Sequence, residues 1–297
     1  DINGGVLGAD NPTFHPAIGW DWITSTPGRD AGIWNDVYLS SDRGVYLHDP
    51  LVTTTLNHPD TLATMLPQLM VKNEEDKSQT ITLKGWIGTV SFEKKVELQP
   101  LEDQEVAFSP EEFPQLKQRR MRLWWPNGYG EPYLYQAGYA VSVEGETGTV
   151  PVYNDTLIYQ TGIREVSYKD MRTVFKMYIN GKRFNPLGGN WGFSEINLNY
   201  RGREYDTAVR YHKEMNYNMI RDWVGQIGDE EFYRACDKYG IMVWQDFWLA
   251  NPWDGPDPYD DKMFLDNARD YILRIRNHSC LGIYVGRNEG DPPASLE

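Results

Sequence analysis

From about residue 162 to the end of the chain, strand-like and helix-like runs alternate, and this alternation constrains the fold more than any other feature. Residues 185–189 read as a short strand, and residues 206–217 as a helix with Asp206 as its expected N-cap. Asn218, Met219 and Ile220 form a second strand, and residues 229–239 a second helix that Gly240 closes. Residues 241–244 form a third strand, residues 260–277 a third helix, and a fourth strand starts at Leu281. Four such alternations imply a parallel sheet with helices as its crossovers.

The strand ends share a character. Asn190 and Trp191 follow the first, Arg221 and Trp223 the second, Asp246 and Trp248 the third, and Asn288 and Glu289 the fourth. Each strand body is small or apolar, and each tip is polar with aromatic neighbours. In parallel α/β barrels the carboxyl ends of the strands carry the reactive groups. One such tip is as readily a helix cap or an ion pair, but four in succession point to a rim. Tryptophan beside amides and carboxylates suits a saccharide: the ring covers the apolar C–H face, and the polar groups bind hydroxyls. Glycoside hydrolysis needs two carboxyl groups, and Glu289 is the expected acid, kept protonated by an apolar wall or a neighbouring anion.

Upstream the rhythm differs. Residues 45–159 read as short strands separated by turn signals such as Asn73-Glu74-Glu75-Asp76 and Pro126-Asn127-Gly128, the pattern of a β-sandwich. Residues 174–179 followed by Asn180-Gly181 signal a hairpin. Residues 1–44 hold loop and strand pieces, too little for a sandwich of their own, and read as the end of a domain that begins earlier.

Composition removes several function classes. The net charge of −14 argues against a nucleic-acid partner, and the one basic cluster, Lys117 to Arg122, is short and flanked by Glu111, Glu112 and Glu131. Apolar runs fall well short of the roughly 20 residues of a spanning helix. The 5 histidines are scattered and the 2 cysteines, Cys236 and Cys280, are expected to be buried thiols, so neither metal nor cofactor is expected. Asn154-Asp155-Thr156 and Asn277-His278-Ser279 match the glycosylation acceptor pattern.

Several segments resemble glycoside hydrolase family two, the group of β-galactosidases, β-glucuronidases and β-mannosidases. They are Arg276-Asn277-His278-Ser279 with Gly286-Arg287-Asn288-Glu289, Thr161-Gly162-Ile163-Arg164, Ile179-Asn180-Gly181-Lys182 and Gly19-Trp20-Asp21-Trp22. Leu123 to Gly128, Gly188 to Gly192 and Trp244 to Trp248 look most like the β-mannosidase, endo-β-mannosidase and exo-β-glucosaminidase branch. The resemblance implies a multidomain β and α/β chain: part of a jelly-roll sugar-binding domain over residues 1–44, an immunoglobulin-like β-sandwich over 45–160, and the first half of a (β/α)8 barrel over 161–297.

The resemblance also implies a retaining double displacement on an oligosaccharide or glycoconjugate. Glu289 matches the acid/base, Asn288 the residue on the sugar 2-hydroxyl, and Arg221 an arginine near the nucleophile. Trp191 and Trp223 are expected to line the pocket beside Asn190, Asp246 to form its floor, and Trp20 with Asp21 to supply a loop from the first domain. Two residues depart from the pattern, since Ser279 stands where proline is usual and Arg287 where glycine or asparagine is common. The family's nucleophile, a glutamate on a later strand, has no counterpart in these residues, so the chain reads as a fragment whose partner is the remainder of a parent polypeptide. The competing reading is a non-catalytic carbohydrate-binding or scaffold module.

Overall fold

The computed structural model describes residue 33 and residues 36–39, 43–57, 62–144, 153–191, 201–225, 228–249, 252 and 257–296. The jelly-roll expectation for residues 1–44 falls almost wholly outside them, as do Trp20 and Asp21. The described residues form two compact units.

The first unit holds Ile33–Trp124 and Tyr133–Phe184. One sheet has the order β1 (Val45–Asn57), β2 (Leu62–Asn73), β5 (Asp103–Ala107), with the short β6 (Lys117–Arg119) also on β2. The other runs β4 (Val90–Leu98), β3 (Gln79–Ile87), β7 (Tyr135–Val143), β8 (Asp155–Thr161), and all its pairs are antiparallel. The alternation of buried and half-buried residues along β2 and β3 places Met65, Leu69, Val71, Ile81 and Leu83 in one core between the sheets. Each such side chain stabilises the fold by about 1.5–3 kcal/mol. Phe92 lies flat across Gly85, where a Cβ would come within 2.1 Å of its ring, so glycine is required there.

Polar brackets fix the turns. Asn73, fully buried, donates to the carbonyls of Lys77 and Gln99 and accepts from the Glu75 amide and Gln79. Asn154 donates from Nδ2 to the Arg43 carbonyl (3.0 Å) and accepts the Val143 amide at Oδ1 (3.0 Å). A three-stranded sheet of β9 (Val166–Lys169), β10 (Lys176–Ile179) and β11 (Lys182–Phe184) completes the unit. Its hairpin turns at Asn180 and Gly181, both with positive φ, as the Asn-Gly signal predicts.

The second unit gathers Trp125–Pro132 and the residues from Asn185 onward. The sequence divides the chain at residue 160, whereas residues 161–184 here group with the sandwich. Four parallel strands lie in the order β12 (Gly188–Trp191), β13 (Met219–Asp222), β14 (Met242–Asp246), β15 (Leu281–Val285). Between them run α1 (Arg203–Glu214), α2 (Glu230–Tyr239) and α3 (Asp261–Ile275).

The N-cap of α1 is Gly202, not Asp206. Asp206 lies in the first turn and instead accepts from Lys238 and Tyr239 of α2. Gly240 closes α2 in the left-handed conformation, as expected. Its carbonyl accepts the Asn127 backbone amide (2.7 Å), and the Asn127 side chain donates to the carbonyls of Lys213, in the last turn of α1, and Tyr217, just beyond it. That bracket ties Trp125–Pro132 to this unit.

Beneath the sheet sits a polar core. Gln245 donates to Asp222 (2.6 Å) and accepts from Tyr233 (2.6 Å), which also bonds Tyr271. Cys236 and Cys280 are both buried free thiols. His278 lies between Asp237 (2.6 Å) and Glu230 (3.2 Å), and Asp237 also accepts the Cys280 amide. Burial opposes the imidazolium, but Asp237 and Glu230 outweigh it and hold His278 at about 9 rather than 6.5. Burial likewise pushes Glu230 up, and His278 with Arg234 outweighs it, drawing the carboxyl from 4.5 to about 2.

The raised His278 value means that its contribution is full below about pH 6.5 and is lost as pH climbs through about 9. The lowered Glu230 value means that its contribution is full above about pH 4.5 and is lost as pH falls towards about 2. Urea midpoints measured against pH are expected to fall between about pH 6.5 and 9, and His278→Gln to flatten that limb. An alkaline limb of equal slope in the variant would remove His278 as its cause.

Candidate active site

Side-chain parity sorts the strand ends. Asn190, Arg221 and Trp244 occupy one register level across β12, β13 and β14, and Asp246 follows two residues after Trp244 on the same face. Trp191, Asp222 and Gln245 occupy the next level and face the other way. Gln245 meets Tyr233 of α2, so that second face is the helix side.

On the face away from the helices, the half-buried Arg221 and the fully buried Asp246 form a multiply bonded pair. Arg221 Nε donates to both carboxylate oxygens of Asp246 (3.2 and 3.0 Å), and Nη2 donates to Oδ2 (2.6 Å). The Trp244 indole donates to Oδ1 (2.8 Å) and the Val224 amide to Oδ2 (3.0 Å). Burial raises the Asp246 carboxyl above its ordinary range, against the pull of Arg221. Yet all five bonds come from donors and no neighbour here accepts a carboxyl proton, so the group is held as the carboxylate. The guanidinium also lies 5.1 Å from the Trp244 ring centroid, a cation–π contact.

Asn288 completes the cluster. Its Oδ1 accepts from Arg221 Nη2 (2.8 Å) and from the Trp223 indole (3.0 Å). The backbone around these tips is strained. Val224, a β-branched residue, has φ 49°, and Glu289 has φ 47°. Gly225 follows at φ 63°, and a Cβ there would lie 2.9 Å from the Asp246 carbonyl. Strain of this kind persists only where the surroundings hold it, and it gathers at working sites.

The expected site residues thus divide. Arg221, Trp223, Asp246 and Asn288 come together, and Asn190 lies exposed at the register level of Arg221. Trp191 does not join them. It is buried on the helix side, its ring 5.6 Å from His212, 5.6 Å from Phe232 and 6.3 Å from Tyr205. Trp248 likewise packs on Phe264 and Tyr271 of α3. Glu289 directly follows the buried Asn288 and is itself exposed, so the apolar wall expected around it is not supplied by the described residues. Trp244 is the member that sequence reading left inside its strand, although its two-residue offset from Asp246 puts both on one face. No group of three metal-ligating side chains occurs among the described residues.

Residues 45–153 match the family described as Glycosyl hydrolases family 2. Over 297 residues the chain is 32% identical to a mannosylglycoprotein endo-β-mannosidase of Lilium longiflorum, covering 94% of this chain and 30% of that protein. It is 31% identical over 301 residues to an exo-β-D-glucosaminidase of Streptomyces avermitilis, covering 97% and 32%. The fold is similar to that of the Amycolatopsis orientalis exo-chitosanase CsxA, with a TM-score of 0.71 at 20% identity over 86% of this chain and 30% of that one. The chain therefore spans about 30% of the length of the relatives it matches.

Removing the Asp246 carboxylate leaves the Arg221 charge half-buried and unpaired. Asp246→Ala is expected to lower stability by about 3–5 kcal/mol in urea unfolding, as for other broken buried pairs. A loss below about 1 kcal/mol would mean that the pair behaves like a surface ion pair.

Proposed function

We propose, from this kinship with glycosyl hydrolases of family 2, that the chain is a portion of a retaining β-glycosidase. The β-sandwich is then the immunoglobulin-like domain, and the four-stranded parallel sheet is the first half of a (β/α)8 barrel. The observation that carries the reading is the Arg221–Asp246–Asn288–Trp223 network at the ends of three neighbouring strands, one residue from Glu289.

In this reading Glu289 protonates the glycosidic oxygen as the bond breaks, then takes a proton from the water that hydrolyses the glycosyl-enzyme. Asn288 binds the sugar at C2. Arg221 is the fixed cation beside the reacting centre, with Asp246 and Trp244 as positioning residues that hold its guanidinium. Asp246 is not the nucleophile, because every bond it makes is committed to that task and its side chain is fully buried. In this reading the nucleophile is a further glutamate of the parent polypeptide. Substrates are β-mannoside-, β-glucosaminide- or β-galactoside-type oligosaccharides or glycoconjugates.

The exposure of Glu289 favours a second reading, a non-catalytic carbohydrate-binding or scaffold module. Assays with aryl β-mannoside, β-galactoside and β-glucosaminide separate the two. The 297-residue chain alone is expected to be inactive, and the full-length parent active. Glu289→Gln in the parent is expected to slow hydrolysis of poor leaving groups by about 10²–10⁴-fold. Turnover by the isolated chain, or an unimpaired Glu289→Gln parent, overturns the assignment of Glu289.

A further inference from the structure

Two residues before Glu289, a charged side chain lies in the interior. The Arg287 side chain is 3% exposed, and its Nη1 donates to Asp257 Oδ1 at 2.6 Å. Asp257 belongs to the connection between β14 and α3, and its side chain is 55% exposed. The pair is lopsided: the cation is out of water and its counter-charge stands at the surface. A buried charge is tolerated when it is paired, so Asp257 helps to keep the guanidinium inside.

The same connection meets the rest of the tip. The Asn288 backbone amide donates to the Leu249 carbonyl (3.1 Å). A Cβ on Gly290 would come within 2.7 Å of Pro252 Cγ and 3.9 Å of Arg287 Cδ, so this glycine lets the tip lie close against both. Residues 287, 288 and 290 are thus each seated on a neighbour, and Glu289 between them has φ 47°. A residue with a side chain keeps that conformation where its surroundings impose it.

We infer that Arg287 and Asp257 are positioning residues for Glu289: their ion pair anchors the tip that presents its carboxyl to the glycosidic oxygen. The inference rests on the reading of Glu289 as the acid/base. Removing one partner of a buried charge is costly, so without Asp257 the guanidinium turns towards water and carries the backbone of the tip with it. Proton transfer needs a heavy-atom separation of about 2.6–3.2 Å, and a misplacement of about 1 Å costs on the order of 10²-fold. The loss falls on substrates whose leaving group needs a proton. Phenolate is such a group, whereas dinitrophenolate leaves without one.

The test compares dinitrophenyl with phenyl β-glycosides of mannose, galactose and glucosamine on the full-length parent and its variants. The quantity read is kcat/KM for the dinitrophenyl glycoside divided by kcat/KM for the phenyl glycoside. Glu289→Gln is expected to raise that ratio by about 10²-fold or more, and Asp257→Ala to raise it by about tenfold or more. Asp257→Glu, which keeps a carboxylate, is expected to stay closer to the parent ratio than Asp257→Ala. If Asp257→Ala does not fold, Asp257→Asn, which keeps an oxygen for Nη1 and gives up the charge, is expected to shift the ratio in the same direction. A merely structural pair would lower both substrates alike and leave the ratio where it was. An unmoved ratio in the Asp257 variants beside a raised one in Glu289→Gln overturns the proposal and leaves the glycosidase reading standing. A ratio unmoved in Glu289→Gln, or a parent that hydrolyses none of these glycosides, defeats the glycosidase reading itself and the proposal with it.

Discussion

The ion pair between Arg221 and Asp246 is the interaction on which the strand-end region depends. A carboxylate taken fully out of water costs several kcal/mol unless its lone pairs are met. Here five donor contacts meet them, drawn from β13, β14 and the turn after β13. The pair therefore knits two neighbouring strands at their ends and fixes the turn that carries Trp223. Asn288 then joins β15 to the same guanidinium. Three strand ends share one cation.

The geometry also divides labour between the two faces of the sheet. The helix-side face is a closed network of Asp222, Gln245, Tyr233 and Tyr271, with each hydrogen-bonding group supplied from inside the fold. On the opposite face the Asp246 carboxylate and the Asn288 amide oxygen accept from Arg221, Trp223, Trp244 and Val224. Sequence identity near 30% to both a mannosidase and a glucosaminidase does not separate those chemistries.

Much of this was legible in the sequence, for physical reasons that also mark where it stopped. The alternation of strands and helices, the Gly240 stop and the Asn180-Gly181 turn are local signals, and each appears where expected. Trp191 failed because neighbouring residues on a strand face opposite ways: with Asn190 on the Arg221 level, Trp191 must turn to the helices. The same parity reveals Trp244, whose partner Asp246 is two residues on. Asp206 looked like a cap because it is acidic and precedes an apolar stripe, but α1 begins at Arg203, and the residue serves α2 instead. The attachment of Trp125–Pro132 to the parallel sheet rests on contacts with Gly240, more than a hundred residues away, and no local pattern announces it.

Asn154 joins folding to cellular address. Its side-chain nitrogen, which anchors the chain at Arg43, is the very atom to which an oligosaccharyl group is transferred at such a tripeptide. Once β7 and β8 have paired, that nitrogen is enclosed and 6% of the residue is accessible. In a compartment that glycosylates nascent polypeptides, closure of the sandwich and attachment of the glycan compete for one nitrogen. Whichever comes first opposes the other, so the order of two events during synthesis decides whether that nitrogen anchors Arg43 or carries a glycan.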